Sequence, residues 1–238
     1  LNGFDQNDVS FEPEILVTVG GAVVSKRIKA YLRKANILKH YKLGAEFPEM
    51  DTYRCLTKSF PVSADDFFAQ VNEHELQANK HNFNGKWKRV DILAKDRALD
   101  FVSEFPNLTD LQVFQTIQDL LPEDSILHLA NSSVVRYAQL FDPIPGVRYE
   151  SNRGTSGIDG STSTSLGAAI VNPSKQHMLI SGDISFLYDS NALWNNYIPK
   201  NFKIILLNNS GGGIFRILPG HQETETFNTY FETSHQLN

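Results

Sequence analysis

The sequence lacks several features that would indicate a particular cellular setting. It contains one cysteine, Cys55, so no internal disulfide can form, which fits a reducing cytoplasm. No apolar run approaches the roughly 18 residues that are needed to span a bilayer. The first residues also lack the charged and apolar regions of a signal peptide. We therefore expect a soluble, cytoplasmic protein without a membrane span.

Basic clusters are also scarce. The chain has 22 Lys and Arg residues against 27 Asp and Glu residues, and its formal net charge is -5. Because no dense basic stripe is present, charge gives no reason to expect a nucleic-acid partner. Internal repeats and low-complexity tracts are not evident. With 238 residues, 41% of them hydrophobic, the chain is long enough for one large or two ordinary domains.

The chain does contain alternating strand and helix patterns, which are typical of α/β proteins. The apolar runs predict strands over 14–19, 125–130, 147–149, 176–181 and 202–207. Helical spacing predicts helices over 23–35, 64–76, 87–105, 109–121, 133–141, 163–171 and 185–197. Thr109 is the expected N-cap of the fourth helix.

A domain boundary is expected between residues 106 and 124, where a helical region ends and strand-helix alternation resumes. Pro122, Glu123 and Asp124 interrupt the pattern there. We place one domain at residues 1–123 and a second at residues 124–238.

The most informative motif follows two predicted strands. One strand ends at Gly182-Asp183, the next ends at Asn208-Asn209, and the segment between them has helical spacing. Such a βαβ unit places Asp183 and Asn209 at the carboxyl ends of parallel strands, where open α/β sheets bind ligands.

These residue types suit magnesium, which prefers hard oxygen ligands and takes part of its octahedron from phosphate and water. The Asp183 carboxylate, the Asn209 amide oxygen and a backbone carbonyl near Gly211 are the expected protein ligands. Each dipeptide alone is typical of an ordinary turn. Their pairing at both strand ends of one unit, followed by three glycines, favours the metal site.

These segments resemble the magnesium and diphosphate motif of thiamine diphosphate (ThDP) enzymes, which begins Gly-Asp-Gly and closes with Asn-Asn some two dozen residues later. Here Ile184 replaces the usual second glycine. Residues 182–193 are similar to the version found in the 2-succinyl-5-enolpyruvyl-6-hydroxy-3-cyclohexene-1-carboxylate (SEPHCHC) synthase family of menaquinone biosynthesis. Three further stretches resemble that family: 25–27, 131–136 and 152–160.

The resemblance implies a ThDP- and Mg²⁺-dependent transferase that joins 2-oxoglutarate and isochorismate and releases CO₂. It implies parallel sheets flanked by helices in three layers, with part of a middle domain in residues 1–123. Residues 124–238 would form the diphosphate- and Mg-binding domain, shortened at its C-terminus. The family's activating glutamate lies in a pyrimidine-binding domain with no counterpart here, so the chain alone is expected to be inactive. The full-length protein is expected to be a homodimer or homotetramer.

The resemblance also implies which residues bind the cofactor. Ile158 becomes the apolar residue that props the thiazolium ring, within a glycine- and hydroxyl-rich stretch that otherwise suits a surface loop with a helix cap. The implied cofactor residues are Ser132, Ile158, Gly182, Asp183, Ile184, Ser185, Asn209, Gly211 and Ile214, with Asp183, Asn209 and Gly211 at the metal.

Substrate carboxylates predict arginines near the cofactor, because guanidinium groups bind carboxylates with two parallel hydrogen bonds. The candidates are Arg136 and Arg153, together with the Lys26-Arg27 pair, although such a pair is usually a solvated helix face. By resemblance, Phe215 and Leu218 line the wall beside the substrate, whereas their spacing alone indicates core packing. His177 and His221 are given no role, since neither shows an evident partner.

Two alternatives remain open. The chain could belong to another ThDP decarboxylase or carboligase of the acetolactate synthase type, although Ile184 and residues 152–160 argue against it. It could also be a non-catalytic diphosphate-binding module that uses the same glycine turns. An encoded pyrimidine-binding domain with its glutamate would favour the enzyme.

Overall fold

The computed structural model describes residues 8–46, 48–74, 82–216 and 224–237. The chain divides into two compact units, Leu1–Leu99 and Asp100–Asn238. Within the described residues, no helix has both the length and the hydropathy that crossing a membrane requires.

The first unit is built on a three-stranded parallel sheet in the order β1-β2-β3. Its strands are β1 (Ile15–Val19), β2 (Lys39–Leu43) and β3 (Leu56–Phe60), and its helices are α1 (Lys26–Lys34) and α2 (Ala64–Asn72). Helix α3 (Phe83–Ser103) begins in this unit. A short 3-10 turn, Val9–Phe11, precedes β1.

The core of the first unit is aromatic. Tyr31, Leu32 and Tyr53 are buried together, and Phe11 and Trp87 pack against them. Burial of such apolar side chains stabilises the sheet-helix contact by about 2 kcal/mol for each large residue. Ser25 caps α1 by accepting a hydrogen bond from the Ile28 amide, so this helix begins three residues later than its spacing predicts.

The sequence patterns predicted neither β2 nor β3. Strand β2 contains the buried polar residues His40 and Lys42. Its sequence therefore lacks the apolar run that would predict a buried strand. Both find partners: His40 lies 3.0 Å from the Thr18 hydroxyl, and Lys42 donates to the Glu46 carbonyl at 2.6 Å. Buried polar groups with such partners are tolerated, so polarity alone does not exclude a strand.

The second unit contains a four-stranded parallel sheet in the order β5-β4-β6-β7. Its strands are β4 (Ile126–Leu129), β5 (Arg148–Glu150), β6 (His177–Gly182) and β7 (Phe202–Leu207). Its helices are α4 (Asp110–Asp119), α5 (Val134–Tyr137), α6 (Ser161–Val171) and α7 (Asp183–Tyr188), followed by a π-helix at Phe227–Glu232. The expected parallel α/β architecture is confirmed.

The division between the units falls before α4, between residues 99 and 100. The sequence pattern placed a boundary between residues 106 and 124, and the two domains were divided after residue 123. Helix α4 belongs to the second unit because Phe114, which is fully buried, stacks on Phe141 at 5.7 Å. Thr109 caps this helix in a reciprocal capping box with Gln112, as predicted for an N-cap.

One predicted helix, over 185–197, is wrong in its extent. It begins earlier, at Asp183, and ends at Tyr188, and a separate 3-10 turn covers Ser190–Leu193. The break lies at Asp189, whose carboxylate accepts hydrogen bonds from the Ser163 amide at 2.7 Å and its hydroxyl at 3.0 Å. Asp189 therefore caps the N-terminus of α6. This contact joins residues that are distant in sequence, so helical spacing cannot predict it.

Candidate functional site

A cavity of 230 Å³ lies at the carboxyl ends of β4, β6 and β7. All nine residues assigned above to the cofactor line it, as does Phe215. Residues that the sequence did not single out also line it, including Asp110, Tyr137, Tyr188 and Tyr230. This is the position that a parallel sheet offers to a ligand.

Asp183 is the buried carboxylate of this cavity. It begins α7 directly after β6 and is 4% exposed. Its Oδ1 accepts a hydrogen bond from the Ile184 amide at 2.7 Å, and its Oδ2 accepts one from the Gly211 amide at 2.9 Å. The second bond joins the two strand ends of the βαβ unit. Both oxygens of this buried carboxylate therefore accept a backbone hydrogen bond.

His235 also contacts this carboxylate, with its Nε2 3.1 Å from Asp183 Oδ2. The His235 amide donates to the Ser210 carbonyl at 3.2 Å, which holds the segment against the turn after β7. A cation bound at Asp183 Oδ2 would have to displace this ring. No sequence signal linked His235 to Asp183, because 52 residues separate them.

Asn209 lies at the end of β7 and is exposed. Its Nδ2 donates a hydrogen bond of 2.7 Å to Oδ2 of Asp110, at the start of α4. The amide nitrogen is therefore engaged by protein, and the amide oxygen is the atom left to serve as a ligand. Sequence reasoning missed Asp110, which is 99 residues from Asn209.

The glycines after Asn209 permit a close backbone approach. A side chain at Gly211 would place its Cβ 2.9 Å from the Glu232 carbonyl oxygen, and one at Gly212 would lie 3.0 Å from that of Phe231. Gly213 donates to the Gly211 carbonyl at 3.0 Å, so the carbonyl expected at the metal accepts a hydrogen bond here. Gly211 brings its amide, rather than its carbonyl, to Asp183.

Two serines beside the cavity have left-handed backbones. Ser132, after β4, has φ 72°, and Ser210, after β7, has φ 66°. Such conformations are uncommon for residues with a side chain and cluster at functional sites. Both turns lie at carboxyl ends of strands, as does the cavity.

A loop from Asn152 to Gly160 carries Ile158 to the cavity. Ser185 donates from its hydroxyl to the Ile158 carbonyl at 2.5 Å. Asn131, which is 1% exposed, donates from Nδ2 to the carbonyls of Asn152 at 2.8 Å and Gly157 at 2.6 Å. These bonds fix the loop on the ends of β4 and β6. Asn131 was not among the predicted site residues.

The two predicted substrate arginines lie near each other beside this loop. Arg153 donates from Nη1 to Asn131 Oδ1 at 2.5 Å, and Arg136 donates to the Ser132 carbonyl. Burial lowers the pKa of Arg136, and the positive charge of Arg153 lowers it further. Both acceptors are uncharged, so these bonds do not neutralise the guanidinium charges. Such a pair favours an anionic ligand.

Of the other predicted substrate residues, Phe215 lines the cavity of the second unit. Lys26 and Arg27 are exposed in the first turn of α1, in the first unit. Phe215 is half-buried in the 3-10 turn Gly213–Arg216 and packs edge-on against Phe231 at 5.7 Å. Leu218 and His221 lie outside the described residues.

Residues 132–238 match the thiamine pyrophosphate enzyme C-terminal TPP-binding domain. This part of the chain is a TPP-binding domain. The match covers β4's carboxyl-end turn, the Ile158 loop, Asp183 and Asn209, which are the elements that surround the cavity.

Proteins named 2-succinyl-5-enolpyruvyl-6-hydroxy-3-cyclohexene-1-carboxylate synthase are similar over nearly the whole chain. The one from Flavobacterium psychrophilum is 52% identical over 235 residues, which is 98% of this chain and 42% of the relative. The one from Flavobacterium johnsoniae is 50% identical over 239 residues, which is 100% of this chain and 42% of the relative. The one from Christiangramia forsetii is 45% identical over 226 residues, which is 95% of this chain and 38% of the relative. The chain thus spans about two fifths of the length of these relatives. Its match to a C-terminal TPP-binding domain is consistent with similarity to their C-terminal part.

The cavity of the TPP-binding domain fits a magnesium diphosphate in its donor types. Asp183 and Asn209 offer a carboxylate and an amide oxygen, and both are hard donors. Within the part of the chain that is described, no three His, Cys, Asp or Glu side chains form a group that could hold a metal ion. Magnesium takes several ligands from phosphate and water, so a small protein share suits it.

Another cavity of the second unit, of 370 Å³, is lined by His128 and His177 among others. His128 Nε2 lies 2.9 Å from His177 Nδ1, and the two rings stack at 5.2 Å. Burial, and then the neighbouring His177, lowers the pKa of His128 to about 4, and burial lowers the pKa of His177. The pair is therefore neutral near pH 7. His177, which was given no role, has a partner in this strand-to-strand contact.

Proposed function

We propose that this chain forms the diphosphate- and magnesium-binding part of a ThDP-dependent decarboxylating carboligase. The reaction proposed for the whole protein joins 2-oxoglutarate and isochorismate to give SEPHCHC and CO₂. The observation that carries this proposal is the cavity that all nine expected cofactor residues line, the buried Asp183 among them. The names of the similar synthases support the choice of reaction.

The bound cofactor would supply an electron sink for carbanion chemistry, which no protein side chain provides. The chain's own residues would hold and orient it. Asp183 and Asn209 would ligate Mg²⁺ at the diphosphate, and the backbone around Gly211 would allow close approach of the phosphate oxygens. Ile158, anchored through its carbonyl by Ser185, would support the thiazolium ring. Precise positioning of this kind lowers a reaction barrier because it is achieved before the reaction.

Arg136 and Arg153 are proposed to bind substrate carboxylates. Both lie next to the turn and loop that form the cavity wall, and their guanidinium charges are close enough to affect each other. A carboxylate placed between them would relieve this repulsion and gain charge-assisted hydrogen bonds. No residue of the chain is assigned a proton-transfer role.

The proposal is tested by titrating the full protein with ThDP in the presence and absence of Mg²⁺, using calorimetry. The parent is expected to bind ThDP only with Mg²⁺, and Asp183→Ala should abolish this binding because it removes the buried carboxylate. Asp119→Ala is the matched control, since Asp119 is an exposed residue at the last position of α4. Unchanged ThDP affinity in Asp183→Ala would refute the site.

Turnover separates the enzyme from a non-catalytic binding module. The full protein is mixed with ThDP, Mg²⁺, 2-oxoglutarate and isochorismate, and CO₂ release is followed. Release that requires isochorismate supports the carboligase. Tight ThDP binding without any turnover would instead favour the module, and formation of acetolactate from pyruvate would favour the other class of carboligase.

A further inference from the structure

Asp110 contacts the candidate metal site without having been predicted to do so. It is the first residue of α4, it lines the same cavity as Asp183, and its Oδ2 accepts the 2.7 Å hydrogen bond from Asn209 Nδ2. This bond links α4 to the metal motif after β7.

The chemistry of the bond fixes the orientation of the Asn209 amide. An ionised carboxylate only accepts hydrogen bonds, and an amide NH₂ group only donates them. With the amide rotated by half a turn, two oxygens would face each other and repel. Asp110 therefore selects the orientation in which Asn209 Oδ1 points away from α4. Magnesium is bound through oxygen, so this is the orientation that a ligand requires.

Asp110 is itself held firmly by the start of its helix. Thr109 and Gln112 form the reciprocal capping box around it. Gln112 also donates from Nε2 to the carbonyls of Val102 at 3.0 Å and Phe105 at 3.3 Å. The backbone of Asp110 is thus fixed on both sides, and a fixed acceptor can orient a partner that is itself exposed.

We propose that Asp110 is a positioning residue that presents the Asn209 amide oxygen to the metal ion. This inference rests on the proposed magnesium-ThDP function of the cavity. Partners that hold a metal ligand by hydrogen bonding set the orientation of that ligand, and their loss typically weakens metal binding by about 10- to 100-fold.

The competing explanation is that Asp110 acts through its charge, by attracting the cation. The two explanations are separated by Asp110→Asn. This variant removes the charge but keeps an oxygen that can accept the Asn209 N–H, whereas Asp110→Ala removes both. Asp119→Ala, at the other end of the same helix, is the control for loss of a carboxylate from α4.

The test measures Mg²⁺ affinity of the full protein at saturating ThDP by calorimetry, and Mn²⁺ affinity from the electron paramagnetic resonance signal of the free ion. Asp110→Ala is expected to weaken both affinities by about tenfold or more. Asp110→Asn and Asp119→Ala should stay within about threefold of the parent. Thermal unfolding of each variant shows whether α4 remains folded.

Parent-like metal affinity in Asp110→Ala would overturn the inference. An Asp110→Asn variant as weak as Asp110→Ala would also overturn it, in favour of the charge explanation. If the parent itself binds ThDP without any dependence on Mg²⁺, the proposed function fails together with this inference. If the parent shows that dependence and Asp110→Ala does not differ from it, the role of Asp110 alone fails.

Discussion

Arg153 donates a hydrogen bond from Nη1 to Oδ1 of Asn131, across 2.5 Å and 22 residues of sequence. The same Asn131 donates both of its remaining bonds to carbonyls of the loop that carries Ile158. One buried amide thus connects an arginine proposed for substrate with a loop proposed for cofactor, and uses all three of its bonds within the protein.

Replacing Asn131 by alanine should destabilise the second unit. Two carbonyls of partly buried residues and one guanidinium lose their partner, and an unsatisfied group costs about 1–3 kcal/mol when it is fully buried. We expect the free energy of unfolding to fall by at least about 2 kcal/mol in chemical denaturation. The control is Asn195→Ala, since the Asn195 side chain makes only short-range bonds, donating to the Ala192 carbonyl and accepting from the Tyr197 amide. Equal losses of unfolding free energy in the two variants would show that the hydrogen bonds of Asn131 contribute no more to stability than those of Asn195.

Arg136 and Arg153 should affect substrate more than cofactor. In the full protein, Arg136→Ala or Arg153→Ala is expected to lower kcat/KM for the carboxylate substrates by about thirtyfold, since one charge-assisted bond contributes about 2 kcal/mol. The Kd for ThDP should change by less than about threefold. Steady-state kinetics and calorimetry measure the two quantities. Native kinetics in both variants would assign these arginines a structural role.

Two glycines should respond in opposite directions to alanine. Gly211→Ala forces a Cβ to 2.9 Å from the Glu232 carbonyl oxygen and should destabilise by about 1–3 kcal/mol. Gly167→Ala lies within α6 with nothing within 4 Å of the new Cβ, so it should stabilise by about 1 kcal/mol. Denaturant midpoints of the two variants provide the comparison. If both shift the midpoint upward, the approach of the segment containing Glu232 does not persist in solution.

The histidine pair predicts a loss of stability in mild acid. The pKa of His128 is about 4 in the folded protein, below the roughly 6.5 of an unfolded chain. The unfolded state therefore binds more protons between these values, so stability is complete above about pH 6.5 and is lost as pH falls toward 4. The shift corresponds to about 3 kcal/mol.

The measurement is the free energy of unfolding from pH 4.5 to 7.5 in the parent and in His128→Gln, which cannot titrate. The slope should be smaller in His128→Gln but not zero, because burial also lowers the pKa of His177 and of His40. His74→Gln serves as the control because His74 is exposed. An unchanged slope in His128→Gln would contradict the assignment of acid sensitivity to this pair.

The sequence by itself determined the features that depend on neighbours along the chain. Apolar runs located β4, β6 and β7, and Thr109 marked the start of α4. Because successive strands of a βαβ unit are parallel, the same patterns brought Asp183 and Asn209 to one edge of the sheet. The glycine turns and their spacing then carried the family resemblance, and the TPP-binding domain agrees with it.

Only the tertiary structure decided the contacts between distant segments. The bonds of Asn209 to Asp110 and of Asp183 to His235 join residues 99 and 52 positions apart, and neither residue type nor local spacing specifies such partners. The break at Asp189 has the same origin, since its carboxylate caps a helix 26 residues earlier. Strand β2 was not predicted because its buried His40 and Lys42 are polar, and the partner of His40, Thr18, lies on another strand. Local sequence patterns indicate helix or strand propensity and burial. The hydrogen bonds that complete this site depend on which distant segments the tertiary fold brings into contact.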